Sequence, residues 1–536
     1  MYLSKIYLFI IVMSSMTSLS SSSFFLSAYL TKQLSHDNYR VGQLTFALKQ
    51  NHITALTIKE HKTNLGSTQW LTLNRELAKT QTIAALKLGN WYQQAAEHES
   101  NSISINKAIM WFEQAIRLGS KKAVYMLAQL YYQQDQIAKA QITLEGLSDE
   151  IVDNDLAEAS LLLRINMVIE LGNVELLKLL LKSDELTLSD NIQTHRLLAD
   201  IDKYSVIGDR KILASKTNNK TDVNFKNSSE CLTSLQLFAT NLSHLKHIEK
   251  LIKRFTEQQA LAKYICLPTP QYISIKALDC IAQVDQAISC DEIRWQSVTK
   301  DVNTRHIGLM LKEGGANVHL GILYFDTKDN SDVFSHEVSH LLGFVDEYPL
   351  TKGHDKCQGV QQETFAHNIA VLNRYYQGEH KEVRASVLDN IPWAQSINAS
   401  TPILQEIHSR TGDKKHWRLG TPNEYQNEIG VYLSESCQKS NAINNFTFTN
   451  VESAYSSFKP LNRRTQLRYF ENDFPEEYLT MLERRPSDFL MPSFHYNIAL
   501  SLYQQGQISK VKYWIDNAAK WEGNAVRKLK VLKGKL

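Results

Sequence analysis

The most informative chemistry in the sequence lies in the stretch Ser335-His336-Glu337-Val338-Ser339-His340-Leu341-Leu342-Gly343-Phe344-Val345-Asp346-Glu347-Tyr348. On a helix, residues four apart share a face, so His336 and His340 can both reach one divalent cation. Glu337 projects toward the open coordination position, where a carboxylate takes the proton of a metal-activated water. Val338, Leu341 and Leu342 supply the buried side of that helix. Gly343 falls where a helix stops in a left-handed residue, and the turn it makes can bring Asp346 back to the metal. The expected set is therefore one Zn2+ held by His336, His340 and Asp346, with Glu337 as general base. His354, His367 and His380 have no partner at ligand spacing and are expected at the surface. Tyr425, Tyr496 and His495 are candidates to steady an oxyanion.

Just upstream, Val318, Leu320, Ile322 and Tyr324 alternate with Asn317, His319, Gly321 and Leu323, the pattern of one half-buried strand. The segment resembles the metzincin branch of zinc metallopeptidases, whose extended motif is His-Glu-x-x-His-x-x-Gly-x-x-His or Asp. The Asp form is that of snapalysin-type enzymes. The Asp-Glu-Tyr ending is also similar to the IgA-peptidase-like family, where the spacing is one residue longer, a register in which Glu347 would be the third ligand. The resemblance implies a zincin-type α+β core and metal-assisted amide hydrolysis, with Glu347 or Tyr348 orienting a ligand. It also implies a Met-containing turn below the metal, for which Phe489-Leu490-Met491-Pro492-Ser493 is the best match. The sequence departs from the family in the long gap between Asp346 and Met491, which contains much helix and several prolines and requires an inserted subdomain. The departure keeps open a gluzincin-type arrangement, with Glu424, Glu428 or Glu435, expected on a later helix within 423–436, as third ligand.

What must position this site is mostly helix. From about residue 40 to 205, apolar residues recur at three- and four-residue spacing with few prolines. Ala84, Ala85, Leu88, Gly89, Trp91 and Tyr92, followed by Ala108, Trp111, Phe112 and Ala115, match a second run from Ala123 through Leu127, Ala128, Tyr131 and Tyr132 to Ala140 and Leu144. The step is in the range of helical-hairpin arrays. The pattern resembles the tetratricopeptide superfamily, in particular its Sel-one-like variant, which implies a surface for a partner protein or a stack that orients the catalytic domain. Tyr496, Ala499, Leu502, Tyr503, Gly506, Trp514 and Ala518 read as one more hairpin, and the basic tail 527–535 as a solvated helix end.

Lys5 precedes an unbroken apolar run from Ile6 to Met13, and no charged residue follows until Lys32. This is an export signal, either cleaved near Ser18-Leu19-Ser20 or retained as an anchor. The six cysteines all lie beyond residue 230, and an even number behind an export signal predicts disulfides, paired here as sequence neighbours: Cys231–Cys266, Cys280–Cys290 and Cys357–Cys437. Lys+Arg 59 against Asp+Glu 56 leaves a net charge of +3, too balanced to name nucleic acid or acidic lipid as the main partner. Hydrophobic content of 43% supports a large core, and only 21 Gly and 10 Pro in 536 residues argue against a β-sandwich. The expected organisation is a signal or anchor (1–30), a helical repeat array (31–205), a linker (206–230), a metallopeptidase domain (231–494) and a C-terminal helical hairpin (495–536). The fold class is multi-domain and mostly α with an α+β core. The expected activity is hydrolysis of a protein or peptide substrate outside the cytoplasm, with membrane contact only through the N-terminal anchor. A cell-wall amidase and a non-catalytic binding scaffold are the alternatives.

Overall fold

The computed structural model describes residues 25–99, 102–147, 153–182, 186, 189–208, 231–351, 353–407, 415–437 and 455–535. The apolar N-terminal run with its expected cleavage site, and most of the expected linker, lie outside the described residues. Contacts divide the chain into two units, Met1–Met167 and Val168–Leu536.

Among its described residues the first unit is all helix. A helix over 25–35 precedes α1 (Val41–Lys49), α2 (Ile53–His61), α3 (Thr68–Leu77), α4 (Thr82–Glu99), α5 (Ser102–Arg117), α6 (Lys121–Gln133), α7 (Ile137–Glu145) and α8 (Asn154–Glu170). Leu30, at the end of the expected export segment, is buried in a cluster with Leu34, Ala47 and Ala55. Ser67 and Ser120 accept hydrogen bonds from the amides of Trp70 and Ala123, satisfying helix N-termini that would otherwise lose a partner. Gly89 has a packing role: a Cβ there would lie 2.5 Å from the ring of fully buried Phe112, so only glycine lets α4 and α5 approach this closely. Gln114 donates to Ala78 O and Thr82 to Leu118 O, two bonds that each span 36 residues and tie successive helices into a stack.

The second unit opens with α9 (Val174–Leu180) and α10 (Ile192–Lys203). The sequence places these with the repeat array, whereas in the structure they belong to the unit that begins at Val168. Tyr272 donates to Ile169 O, Ser274 to Gly172 O and Tyr204 to Glu249, so this stretch is tied by hydrogen bonds to the chain that follows.

The centre of the unit is a six-stranded sheet. Its strands are β1 (Thr233–Ala239), β2 (Ile265–Cys266), β3 (Gln271–Tyr272), β6 (His306–Leu311), β7 (Asn317–His319) and β8 (Ile322–Asp326), with β4 (Cys280–Ile281) and β5 (Ser289–Cys290) forming a separate hairpin. The order is β2-β1-β6-β8-β7, with β3 also beside β1; all pairings are parallel except that of edge strand β7. Strands β6 and β8 are buried at every position, as strands covered on both faces must be. On one face lie α11 (Leu242–Gln258) and α13 (Ser331–Leu341), where Phe334 meets Phe255 and Phe325 edge-on or tilted. On the other, Phe238, Ile307, Leu309, Ile322 and Tyr324 pack against Phe494, Ile498, Leu502 and Trp514. The latter group belongs to α16 (Phe494–Gln504) and α17 (Ile508–Lys520), which α18 (Ala525–Leu532) follows.

Two expectations are corrected here. The single strand over 317–324 is a hairpin: Leu320 and Gly321 have φ of 42° and 87°, and His319 pairs with Ile322. A two-residue turn with both φ positive matches the strand twist, and alternation alone does not show where it interrupts a strand. The gap between Asp346 and Met491 carries less helix than expected. Among the described residues its α-helices are α14 (His380–Asp389) and α15 (Glu476–Arg484), and between α13 and α15 run two small sheets. One contains β10 (Tyr375–Gln377), β12 (His416–Leu419) and β11 (Leu404–Ile407); the other contains β13 (Tyr432–Leu433), β14 (Tyr455–Lys459) and β9 (Ala370–Asn373).

All six cysteines are paired, as Cys231–Cys266, Cys280–Cys290 and Cys357–Cys437, matching the sequence expectation and an oxidising compartment. Among the described residues no helix is long and apolar enough to cross a membrane.

Candidate metal centre

Helix α13 starts where the Asn330 side chain accepts from the amides of Asp332 and Val333. Phe334, Val338 and Leu341 face the sheet and are fully buried, which fixes the roll of the helix and turns His336 and His340 to one side. It ends at Gly343, φ 94°. The Phe344 amide donates to Ser339 O and the Gly343 amide to His340 O, a paired closure that requires a left-handed residue at Gly343. The chain then folds back across the end of the helix.

That return places Asp346 Oδ1 3.0 Å from His336 Nε2 and 3.3 Å from His340 Nε2, while the two Nε2 atoms are 3.2 Å apart. Each imidazole is held from behind: His336 Nδ1 lies 3.0 Å from Gln466 O, and His340 Nδ1 3.0 Å from Phe344 O. A carbonyl accepts only, so each Nδ1 carries a proton and each Nε2 is the ring atom left to offer a lone pair to a cation, which at His340 takes the place of the proton that Asp346 favours. Asp346 Oδ1 is correspondingly buried without a hydrogen-bond donor. Three electron-rich atoms facing one point need a positive charge between them. A tetrahedral ion with bonds of about 2.1 Å has ligand–ligand edges of about 3.4 Å, close to the three separations observed. The residues present therefore fit a small divalent cation. His336, Glu337 and His340 also form a group whose ligand atoms all lie within 4.8 Å of one another.

Burial works against charge throughout the pocket. It raises the Glu337 carboxyl above the usual carboxylate range, opposed by the nearby His340 and His336. Burial alone would lower His340 and raise Asp346, but their mutual attraction outweighs it, pushing His340 up to about 10 and Asp346 well down. Tyr348 stacks on His336 with ring centroids 6.2 Å apart, and Phe470 meets the same imidazole edge-on at 4.7 Å.

The other sequence candidates are engaged elsewhere. Glu347 is buried facing away from the imidazoles, with Oε2 2.7 Å from Lys459 Nζ and Oε1 accepting from Tyr478. Glu424 is exposed on a short 3-10 turn, Glu428 accepts from Thr401, and Glu435 pairs with Arg468 at 2.8 Å. The expected helix over 423–436 is a 3-10 turn, loop and strand β13. His495 and Tyr496 sit in α16, where His495 contacts Trp514 and Tyr496 joins a cluster with Ala518 and Val531. His367 is not at the surface: it is 1% exposed between Phe344 and Phe489, and burial pushes its imidazole down to about 3.

The loop containing Met491 runs below the end of α13. The Met491 amide donates to Leu341 O, and a Cβ on Gly343 would lie 2.4 Å from Phe489 O. Arg305 and Arg527 hold this loop through the carbonyls of Met491, Asp488 and Leu490, and Glu522 pairs with both guanidinium groups. Sequence reasoning did not find Gln466, because its contribution is a backbone carbonyl that any residue supplies. Nor did it find Lys459, whose partner lies 112 positions away. No protein-family model matches the chain, and comparison with curated proteins finds no match either.

Proposed function

We propose that this chain is an exported zinc-dependent metallopeptidase acting on protein or peptide substrates, with a zincin-type core. The observation that carries the reading is the convergence of His336 Nε2, His340 Nε2 and Asp346 Oδ1, backed by two carbonyl-fixed imidazole tautomers and a buried glutamate on the same helix. A parallel sheet ending in an antiparallel edge strand beside that helix, and a methionine-containing loop beneath it, support the same reading. His336, His340 and Asp346 would hold the ion. When bound, it supplies Lewis acidity, polarising a scissile carbonyl and making a water acidic near neutral pH. Glu337, its carboxyl held near the helix face by burial, accepts the water proton and returns it to the leaving amine. The pocket's low exposure strengthens each of these charge interactions. The three disulfides and the apolar N-terminal run support action outside the cytoplasm.

The test is zinc content and peptide hydrolysis of wild type and Glu337→Gln. We expect one zinc per chain in both and hydrolysis only in wild type. Turnover persisting in Glu337→Gln would remove that residue from its role. Protein that stays metal-free under excess zinc would defeat the whole reading.

A further inference from the structure

The last helix, α18, presents a surface that the metal centre does not use. Its inward side is fixed by two residues. Val531 is fully buried with Tyr496, Ala518 and Ala519. Arg527 donates to Glu522 Oε2 at 2.8 Å and to Asp488 O at 2.7 Å. At about 100° per residue, the face opposite these two carries Val526, Leu529 and Leu532. They are 62%, 56% and 42% exposed. An outward ridge of three aliphatic residues on a docked helix is thus a defined surface, held at a fixed roll.

Its charge is equally one-sided. Residues 523–535 contain Arg527, Lys528, Lys530, Lys533 and Lys535 and no acidic residue. Arg527 is neutralised by Glu522, and Lys530 pairs with Glu363 at 2.6 Å. Lys528, Lys533 and Lys535 are exposed, with no acidic partner among the described residues. Around the helix, Lys528 and Lys530 border the aliphatic ridge on its two sides, and Lys533 closes its end.

We propose that α18 docks on an anionic lipid bilayer, with the ridge entering the boundary between headgroups and acyl chains and the lysines meeting headgroup phosphates. The combination selects the occupant. A soluble polyanion would use the lysines and leave the ridge in water. An apolar protein groove would take the ridge but oppose the surrounding cations. A bilayer with anionic headgroups satisfies both, since lysine stems can lie along the apolar phase while the ammonium groups stay at the headgroups. The helix is already folded and anchored, so docking costs little ordering entropy. This is independent of what the metal centre does.

Vesicle co-sedimentation of the full chain tests it, comparing purely zwitterionic vesicles with vesicles containing phosphatidylglycerol. Residues 1–31 carry one charged side chain, Lys5, so any N-terminal insertion contributes nearly equally to both. We expect binding to rise at least about tenfold with the anionic lipid, and the rise to vanish at high salt. Leu529→Asp and the pair Lys528→Gln with Lys533→Gln should each abolish most of the increment, with unchanged circular dichroism and zinc content. Three results overturn the proposal: no anionic-lipid increment, an increment that survives Leu529→Asp, or a wild-type dimer that Leu529→Asp dissociates while lipid binding is absent.

Discussion

Two adjacent carboxylates illustrate how position, more than residue type, assigns a task. Asp346 Oδ1 points at the Nε2 atoms of His336 and His340. Glu347, one residue on, points the opposite way into a buried pair with Lys459 and a hydrogen bond from Tyr478. Their substitutions should therefore fail in different ways. Asp346→Asn keeps the shape but loses the charge that the cation needs, so zinc affinity should drop by at least about 100-fold with little change in the unfolding midpoint of the metal-free protein. Glu347→Gln leaves the Lys459 ammonium buried without its counter-charge, at a cost of about 3–5 kcal/mol in urea unfolding, while folded molecules should bind zinc nearly as well as wild type. Chelator competition and urea titration on both variants separate the two effects. If Glu347→Gln lost zinc affinity as severely as Asp346→Asn, the ligand would be the glutamate.

At the scale of elements, the centre depends on one helix ending at one residue. Gly343 has φ 94°, and a side chain there would meet Phe489 O at 2.4 Å. Gly343→Ala must therefore give up either the left-handed turn or the contact with the loop beneath it. The expected cost is about 2–4 kcal/mol in urea unfolding, accompanied by weaker zinc binding as Asp346 is displaced. Wild-type stability and affinity in that variant would show that the turn does not place Asp346. Much of this element was legible in the sequence, because a helix period, a terminal glycine and the ligand spacing are all local. The disulfide pairs were legible for the same reason, each joining neighbours in sequence. The hairpin at Leu320-Gly321 was not, since its two halves continue one alternation of apolar residues. The burial of His367 was not either, because Phe344 and Phe489 reach it only through the return of the chain. The carbonyls that fix the imidazole tautomers carry no sequence signal at all.

Across the molecule, covalent cross-linking is confined to one unit. All three disulfides lie in Val168–Leu536, and two of them close long loops, of 35 and 80 residues. By loop-closure entropy these contribute about 4 kcal/mol each to the stability of that unit, and they contribute nothing to the helical unit of Met1–Met167. The 80-residue link has a second consequence. Cys437 follows Ser436, whose hydroxyl donates to Asp346 O and whose carbonyl accepts from the Leu350 amide at 2.9 Å. The bond to Cys357 thus tethers the strand end that braces the ligand loop. Paired Cys357→Ser and Cys437→Ser substitutions should lower the melting temperature of the disulfide-bonded unit and weaken the proposed zinc binding roughly tenfold, the scale expected when support around a ligand is lost. The comparison that decides it is the pair Cys231→Ser and Cys266→Ser, which removes a similar entropic term from the far edge of the sheet. That pair should lower the melting temperature comparably and leave zinc affinity unchanged. Equal losses of affinity in both would mean that the metal centre responds to global stability alone, and that the tether to Asp346 has no separate effect.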